Sequence, residues 1–390
     1  MSLSPVHILA CFQSFLSAMR QEAHGGQHAF MHPGDLLHLS LRDLPCSFDR
    51  QRAAMHALAT FLDIPEHAHT RYLDSVTPST TLASLARRLA SMRDGKAGFL
   101  LKSSGTTGQR KQVRHTKEFF LQEILFIRER FAVQNIVSAV PLHHTYGFTF
   151  GVMLAEHTGC LCEQIWPFPE LIRQRLRNRT LFLGVPFIFE KILPLLQERS
   201  AEVVFCSAGS ALPASLARTH PACGDRFLDI YGSSENGAMG VRTVHEPLFT
   251  LQKHFSREDD LLQRRFPDGQ RRAVSQDDEL RWHDERHFEV LGRLDKAIQI
   301  AGVNIYPRHI EQKIAEHPFV KACSVRLDQS HRKGRLKVFI VPEGEYPEQI
   351  LKKALHKFYA ANLLPEERPV RMTVGTELPR NAMGKPGDWE

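Results

Sequence analysis

Between residues 97 and 235, short apolar runs recur and each closes on small residues: "AGFLL", "NIVSAVP", "RTLFLGVP", "AEVVFCSAG" and "FLDIYGSSE". Runs of four to eight apolar and β-branched residues bounded by Gly, Ser and Pro predict strands. Between them, "TKEFFLQEILFIRERFAV" carries apolar residues at three- and four-residue steps, which predicts helix. Strands alternating with helices specify an α/β fold with a largely buried sheet. In such sheets ligands collect where strand ends give way to turns.

The flanking sequence differs. Residues 1 to 95 read as helices joined by short loops, with "RQRAAMHALATFLDI" and "TTLASLARRLASMRDG" the clearest. From 245 to 285 the chain is polar, mixed in charge and weakly periodic. Beyond it, "HFEVLGRLDKAIQIAGVNIYPRHIEQKI" predicts strand, turn, strand, loop and helix. "VKACSVRL", "RLKVFIVP", "EQILKKALHKFYAAN" and "VRMTVGTELP" complete a small α+β unit. At 390 residues the chain suits two domains, with room for a third.

Composition narrows the class. No apolar run is long enough for a membrane span. "VHILACFQSFLSAM" lacks a basic flank, so a surface-packed amphipathic helix is preferred to a signal peptide. The seven cysteines are scattered, without CxxC or zinc spacing, which points to free thiols and a reducing cytoplasm. The net charge of +7 is spread over helices such as "LIRQRLRNR", without a basic, aromatic-interleaved stripe. Nucleic acid is therefore not an expected partner.

The densest chemical signal is "LKSSGTTGQRKQV", residues 101–113. Hydroxyls, small residues and free backbone N–H groups make a phosphate cradle. It is neither a Walker A loop, since Gly105 and Gly108 enclose only Thr106 and Thr107, nor a GxGxxG turn. Composition alone also allows an ordinary strand-to-helix turn.

The order of residues resembles the phosphate loop of the AMP-forming adenylating enzymes: acyl- and aryl-CoA synthetases, adenylation domains and luciferases. Five further motifs follow in that family's order. "PLHHTYG" (141–147) is similar to the segment whose histidine, here His144, lies beside the carboxylate pocket. "CSAGSALP" (206–213) resembles the adenine-side loop, and "YGSSE" (231–235) the Tyr-Gly-x-Thr-Glu motif. "GRLDKAIQIAGVNIYPRHIE" (292–311) resembles the hinge, and "LPRNAMGK" (378–385) the catalytic-lysine motif.

The resemblance implies a shortened large α/β adenylating domain, 1–292, and a small mobile α+β lid, 296–390, with a hinge near 293–295. It implies ATP and Mg²⁺ as cofactors. Ser103, Ser104, Gly105, Thr106, Thr107, Gly108 and Lys111 would cradle the phosphates. Gly209, Ser210, Tyr231, Gly232 and Ser234 would line the nucleotide site, with Asp278 and Arg293 on the ribose. Glu235 would hold Mg²⁺, and Lys385 would neutralise charge during adenylation. Asp295 would be the hinge, and Gly302 would admit a pantetheine arm after the lid turns.

Departures accompany the matches. Arg110 replaces the usual proline, and the ribose motif reads "SQDDE", so Asp277 competes with Asp278. The stretch between Glu235 and Asp278 is short, implying a small peripheral subdomain that is reduced or missing. The acid pocket is expected from His144, Tyr146, Phe148, Ser207, Gly209, Ser233 and Gly237. Rings and small residues suit a flat benzoate, hydroxybenzoate or cinnamate-like acid, with a short or medium aliphatic acid as the alternative. The acceptor thiol belongs to CoA or an acyl carrier protein. A degenerate, non-catalytic nucleotide binder is the rival class, which the presence of Glu235, Arg293 and Lys385 together disfavours. A serine hydrolase is excluded because "YGSSENG" lacks the G-x-S-x-G elbow.

Overall fold

The computed structural model describes residues 3–21, 31–93, 98–102, 112–165, 169–196, 202–209, 212, 226–258, 261–274, 278–293, 298–300, 303–328, 334–379 and 389. The chain is mixed α/β, as the alternation of strands and helices predicts. It divides into two compact units. One comprises Met1–Ser103, Gln112–Gln276 and Leu280–Glu289, and the other is mostly Val290–Glu390.

One sheet organises the larger unit. Five strands run parallel in the order Leu161–Gln164, Asn135–Ser138, Thr180–Gly184, Val203–Ala208 and Phe227–Ser233. Asn135–Ser138, the earliest in sequence, has a later strand on each side. Chain order therefore reverses there, and such a reversal opens a crevice outside the carboxyl ends of the strands. Beyond Phe227–Ser233 the sheet turns antiparallel through Gly237–Thr243 and Phe249–Leu251.

The central strands are buried along their whole length because both faces are covered. Successive side chains point to opposite faces, and the packing follows that period. Leu181, Leu183, Val204, Cys206 and Leu228 join one core, while Phe182, Val203, Phe205 and Phe227 join another. The first core also holds Phe148, whose ring meets Phe61, Phe99 and Phe120 at centroid distances of 4.9, 4.7 and 5.0 Å.

Three expectations change here. The N-terminal segment is helical, Pro5–Gln21, but it is not a surface helix: Ile8, Leu9, Ala10, Cys11 and Phe12 are all fully or almost fully buried. Five consecutive buried positions span more than one helical face, so the helix is packed on several sides. The polar stretch after 245 also gains structure, as Phe255–Glu258, Leu261–Arg265 and Arg271–Ala273 form a three-stranded antiparallel sheet. Its mostly charged outward positions hide the strand signal. The helix expected after the phosphate loop is broken at Ile124 into Lys117–Glu123, capped by the Thr116 hydroxyl, and Leu125–Arg130.

The smaller unit has its own aliphatic core. Val320–Asp328 pairs antiparallel with Arg335–Pro342, which pairs parallel with Arg371–Val374. Ile310 and Ile314 from the helix Pro307–Ala315 and Leu355 from Glu348–Asn362 pack with Val338 and Ile340.

Candidate active site

Three segments leave the carboxyl ends of parallel strands. The first follows Asn135–Ser138, where Ser138 Oγ donates to the Val140 carbonyl at 2.7 Å. At Gly147 a Cβ would lie 2.3 Å from the Pro141 carbonyl oxygen, so only glycine allows the segment to double back. The helix then widens into a π-helical stretch, Phe148–Met153, a geometry often found beside functional sites. Tyr146 donates its hydroxyl to the Cys206 carbonyl at 2.5 Å, tying this segment to the end of Val203–Ala208. Burial pushes the Tyr146 phenol well above its ordinary pKa, so it stays a neutral donor.

The two histidines here have separate surroundings. His143 stacks on Phe15 at 4.4 Å and shares a hydrogen bond with Ser14 Oγ at 2.8 Å. His144 is exposed beside it, with ring centroids 4.6 Å apart. Phe148, expected in the acid pocket, is instead a core residue with no exposed face. The helical turn from Tyr146 carries it inward onto the phenylalanine cluster.

The second segment ends Val203–Ala208. Ser207 is fully buried, and its Oγ has no hydrogen-bond partner among the described residues. Gly209 follows in the left-handed region, φ 86°, with open space on its side-chain side. A buried hydroxyl without a partner carries a desolvation cost that a bound polar group would remove.

The third segment is the tip of the hairpin formed by Phe227–Ser233 and Gly237–Thr243. Tyr231 lies against Phe249 and Phe288, at 5.8 and 5.6 Å between ring centroids. At Gly232 a Cβ would meet the Gly237 carbonyl oxygen at 2.0 Å, so the close strand approach requires glycine. Ser233 Oγ accepts the Asn236 N–H at 3.1 Å. Glu235 stands exposed in the turn, and among the described residues its carboxylate makes no hydrogen bond or ion pair. Gly237 departs from its expected pocket role. With φ 77°, it packs on a buried ion pair, where a Cβ would lie 2.6 Å from the Glu123 carboxyl.

That ion pair belongs to a group of residues that the motifs do not include. Glu123 Oε1 lies 2.6 Å from Arg264 Nη1 and 3.0 Å from His254 Nε2, and its Oε2 accepts the Ala238 N–H at 2.5 Å. Arg264 donates to the Asn236 carbonyl and, at 3.0 Å, to Gln122 Oε1, while its guanidinium stacks 3.9 Å from the centre of the Phe119 ring. His115 also stacks flat on Phe119, at 3.7 Å, and its Nε2–H donates to the Ser234 carbonyl at 2.7 Å. Burial lowers the His115 pKa, favouring a neutral ring that donates through Nε2. Burial alone would raise the Glu123 pKa. Arg264, His254 and the Ala238 N–H together hold it below the usual range. The alternation in "LLQRRF" held a faint signal, since Leu262 and Arg264 share the inward face.

Ser103, Ser104, Gly105, Thr106, Thr107, Gly108, Lys111, Ser210, Asp277, Asp295, Gly302 and Lys385 lie outside the described residues. Asp278 opens the strand Asp278–Trp282 and Arg293 ends His287–Arg293, and both belong to the smaller unit. Among the described residues no group of three His, Cys, Asp or Glu side chains could hold a metal. A hard cation at Glu235 would take its remaining ligands from phosphate oxygens and water, as Mg²⁺ commonly does. An exposed carboxylate that makes no hydrogen bond or ion pair among the described residues fits that role.

Comparison with known proteins now carries the assignment. Residues 59–260 match the family profile described as AMP-binding enzyme. A 4-coumarate–CoA ligase of Halorhodospira halophila is 30% identical over 347 residues, covering 87% of this chain and 86% of that protein. The chain is a member of the AMP-binding enzyme family. Within it, this AMP-binding enzyme falls among the acyl- and aryl-CoA ligases. A 4-coumarate–CoA ligase of Cereibacter sphaeroides is 32% identical over 301 residues, covering 75% of this chain and 71% of that protein. The fold of this AMP-binding enzyme is shared by an o-succinylbenzoate–CoA synthetase of Bacillus subtilis. The TM-score is 0.62 at 16% identity, over 98% of this chain and 91% of that one. No helix among the described residues is long and apolar enough to cross a membrane.

Proposed function

We propose that this protein is an ATP-dependent, AMP-forming ligase that activates an aryl acid and passes it to a pantetheine thiol. The observation that carries the reading is the meeting of three segments at the carboxyl ends of parallel strands. Segment 141–148 is tied to Cys206 by the Tyr146 hydroxyl, and Ala208 pairs with Ile230 just before the Glu235 turn. The His144 and Tyr146 rings, the buried Ser207 hydroxyl, without a hydrogen-bond partner among the described residues, and the exposed Glu235 carboxylate all belong to these segments of one unit.

In the first step an acid carboxylate oxygen attacks the α-phosphorus of ATP and pyrophosphate leaves. Lys385 and the loop 103–111 would neutralise the charge on the two anions as they meet. Glu235 would hold Mg²⁺, which when bound shields the phosphate charge. His144, exposed after the strand Asn135–Ser138, would meet the acid. Ser207, fully buried without the acid, would give its hydroxyl hydrogen bond to the carboxylate or to a ring hydroxyl once the acid displaces what covers it. In the second step the thiol sulfur attacks the acyl carbon, its proton is lost to solvent and AMP departs.

The relatives named 4-coumarate–CoA ligase support a phenolic aryl acid and CoA as the acceptor. An acyl carrier protein's phosphopantetheine offers the same thiol. The reading assigns 1–292 to adenylation and 296–390 to a lid that turns at Asp295, bringing Gly302 to the thiol. Asp278 and Arg293 are assigned to the ribose. The six described cysteines are all free, which fits work in the reducing cytoplasm.

ATP–pyrophosphate exchange across aryl and aliphatic acids tests the reading. Exchange should depend on a phenolic aryl acid and fall about a hundredfold or more in Lys385→Ala, through lost charge stabilisation. Exchange driven only by aliphatic acids overturns the substrate class. No exchange with any acid, despite ATP binding, favours a non-catalytic nucleotide binder.

A further inference from the structure

We infer that His115, Arg264 and Glu123 form a three-point clamp that sets the direction of the Glu235 carboxylate, making them positioning residues for the phosphate-bound cation. The inference rests on the reading of Glu235 given above and goes beyond it, because none of the three touches nucleotide or acid in that scheme.

The geometry is specific to the turn. Glu235 is flanked by Ser234 and Asn236, and each of their carbonyls is held by a side chain from elsewhere in the chain. His115, from the strand Gln112–His115, donates to Ser234, and Arg264, from Leu261–Arg265, donates to Asn236. The Ala238 N–H is taken by Glu123, from the helix Lys117–Glu123. Arg264 and Glu123 are each 1% exposed, and their mutual contact sets the spacing between the second and third grips. Gly237, between those grips, leaves room for no side chain.

A carboxylate in a three-residue turn would otherwise swing with the turn. Metal-binding carboxylates depend on the partners that orient them, and losing such a partner typically costs about 10- to 100-fold in metal affinity or activity. Burying an Arg–Glu pair for stability alone gains little, since apolar packing does as well. Here each charged group also holds backbone of the turn, which apolar residues could not do. The three-stranded sheet spanning 255–273 thereby has a role: it delivers Arg264 beneath the hairpin.

The test uses the full-length protein and Mg²⁺-dependent pyrophosphate exchange. Arg264→Met strands a buried carboxylate and threatens folding, so His115→Phe is the main variant. It keeps a flat ring for the stack on Phe119 and removes the donor to Ser234, together with the imidazole's electrostatic contact with Arg264, Glu123 and Glu235. The Mg²⁺ concentration for half-maximal exchange should rise about tenfold, with the KM for the acid unmoved and the melting temperature lowered only slightly by the lost hydrogen bond. His115→Gln, which restores an N–H donor, should recover much of the loss. Glu235→Gln is the control for the cation site itself. A shifted Mg²⁺ dependence in Glu235→Gln beside an unshifted His115→Phe overturns the clamp and leaves the function standing. An equal fall at all Mg²⁺ concentrations in His115→Phe also overturns it. Wild-type protein without acid-dependent exchange overturns the functional reading, and the clamp's role with it.

Discussion

An arginine–carboxylate pair lies at each end of the hairpin 227–243, Asp229–Arg242 within its base and Glu123–Arg264 packed against its tip, and only at the tip is the effect of burial overcome. At the tip, Glu123 and Arg264 are both fully buried, yet the Glu123 carboxyl is held below its usual range. At the base, Asp229 is buried and meets Arg242 at 3.0 Å, and burial pushes its pKa up to about 6 despite that charge. The carboxylates differ in the donors they receive. Glu123 has Arg264, His254 and the Ala238 N–H, whereas Asp229 has the partly exposed Arg242. Donor number, more than depth of burial, decides which form of a buried acid the fold prefers.

The strongest way to break this comparison is to remove Glu123. Glu123→Ala leaves Arg264 buried without its countercharge and should cost about 3–5 kcal/mol of unfolding free energy, read by chemical denaturation. Replacing both partners at once, with Glu123→Leu and Arg264→Met, should cost much less stability while loosening the turn. A stable Glu123→Ala protein would show that the tip does not depend on the pair.

A smaller effect, in pH, sharpens the contrast. Asp229 has a folded pKa of about 6, above its ordinary 3.8, so its protonated form favours the fold. Its stabilising contribution is complete below about 3.8 and is lost as pH rises through about 6. The gap between those two values corresponds to roughly 2–3 kcal/mol. Glu123 runs the other way: its contribution is present above its ordinary 4.5 and is lost as pH falls through its lower folded value. Asp229→Asn should therefore flatten the fall in stability between about pH 4 and pH 6, and leave the acid-side loss unchanged. Urea melts across that range check the slope, and an unchanged slope would refute the assignment.

The smallest effect lies at the tie from segment 141–148. Tyr146→Phe removes the hydroxyl that donates to Cys206, at a cost of about 0.5–1.5 kcal/mol. If that tie shapes the acid pocket, the KM for the acid should rise while the half-saturating Mg²⁺ concentration stays constant. A Mg²⁺ effect instead would couple the two sites more tightly than the separate contacts indicate.

Much of this was legible in the chain. The apolar runs at 135–138, 180–184, 203–208 and 227–233 are strands, because a strand buried on both faces must be apolar throughout. Motifs at 141–147, 206–209 and 231–235 lie at or after strand ends, so their placement at the carboxyl ends of the sheet follows from parallel topology. Other features were hidden. The N-terminal helix reads as half-polar, but His7 and Ser14 are buried through bonds to Glu156 and His143, more than a hundred residues away. Phe148 reads as a pocket ring and is core, because which way a ring turns depends on what packs behind it.

By itself, the sequence determined the alternation of strand and helix, the order of the motifs and the chemistry that hydroxyls, glycines and charges allow there. Those properties are local, set by side-chain period and backbone freedom. Tertiary structure alone decided that Glu123, His115 and Arg264 would hold the turn bearing Glu235. Glu123 and Arg264 stand 141 positions apart (264 − 123), and each reads alone as a solvated surface charge. Only when the chain folds do they lose water together, and a charge stripped of water must find its partner nearby.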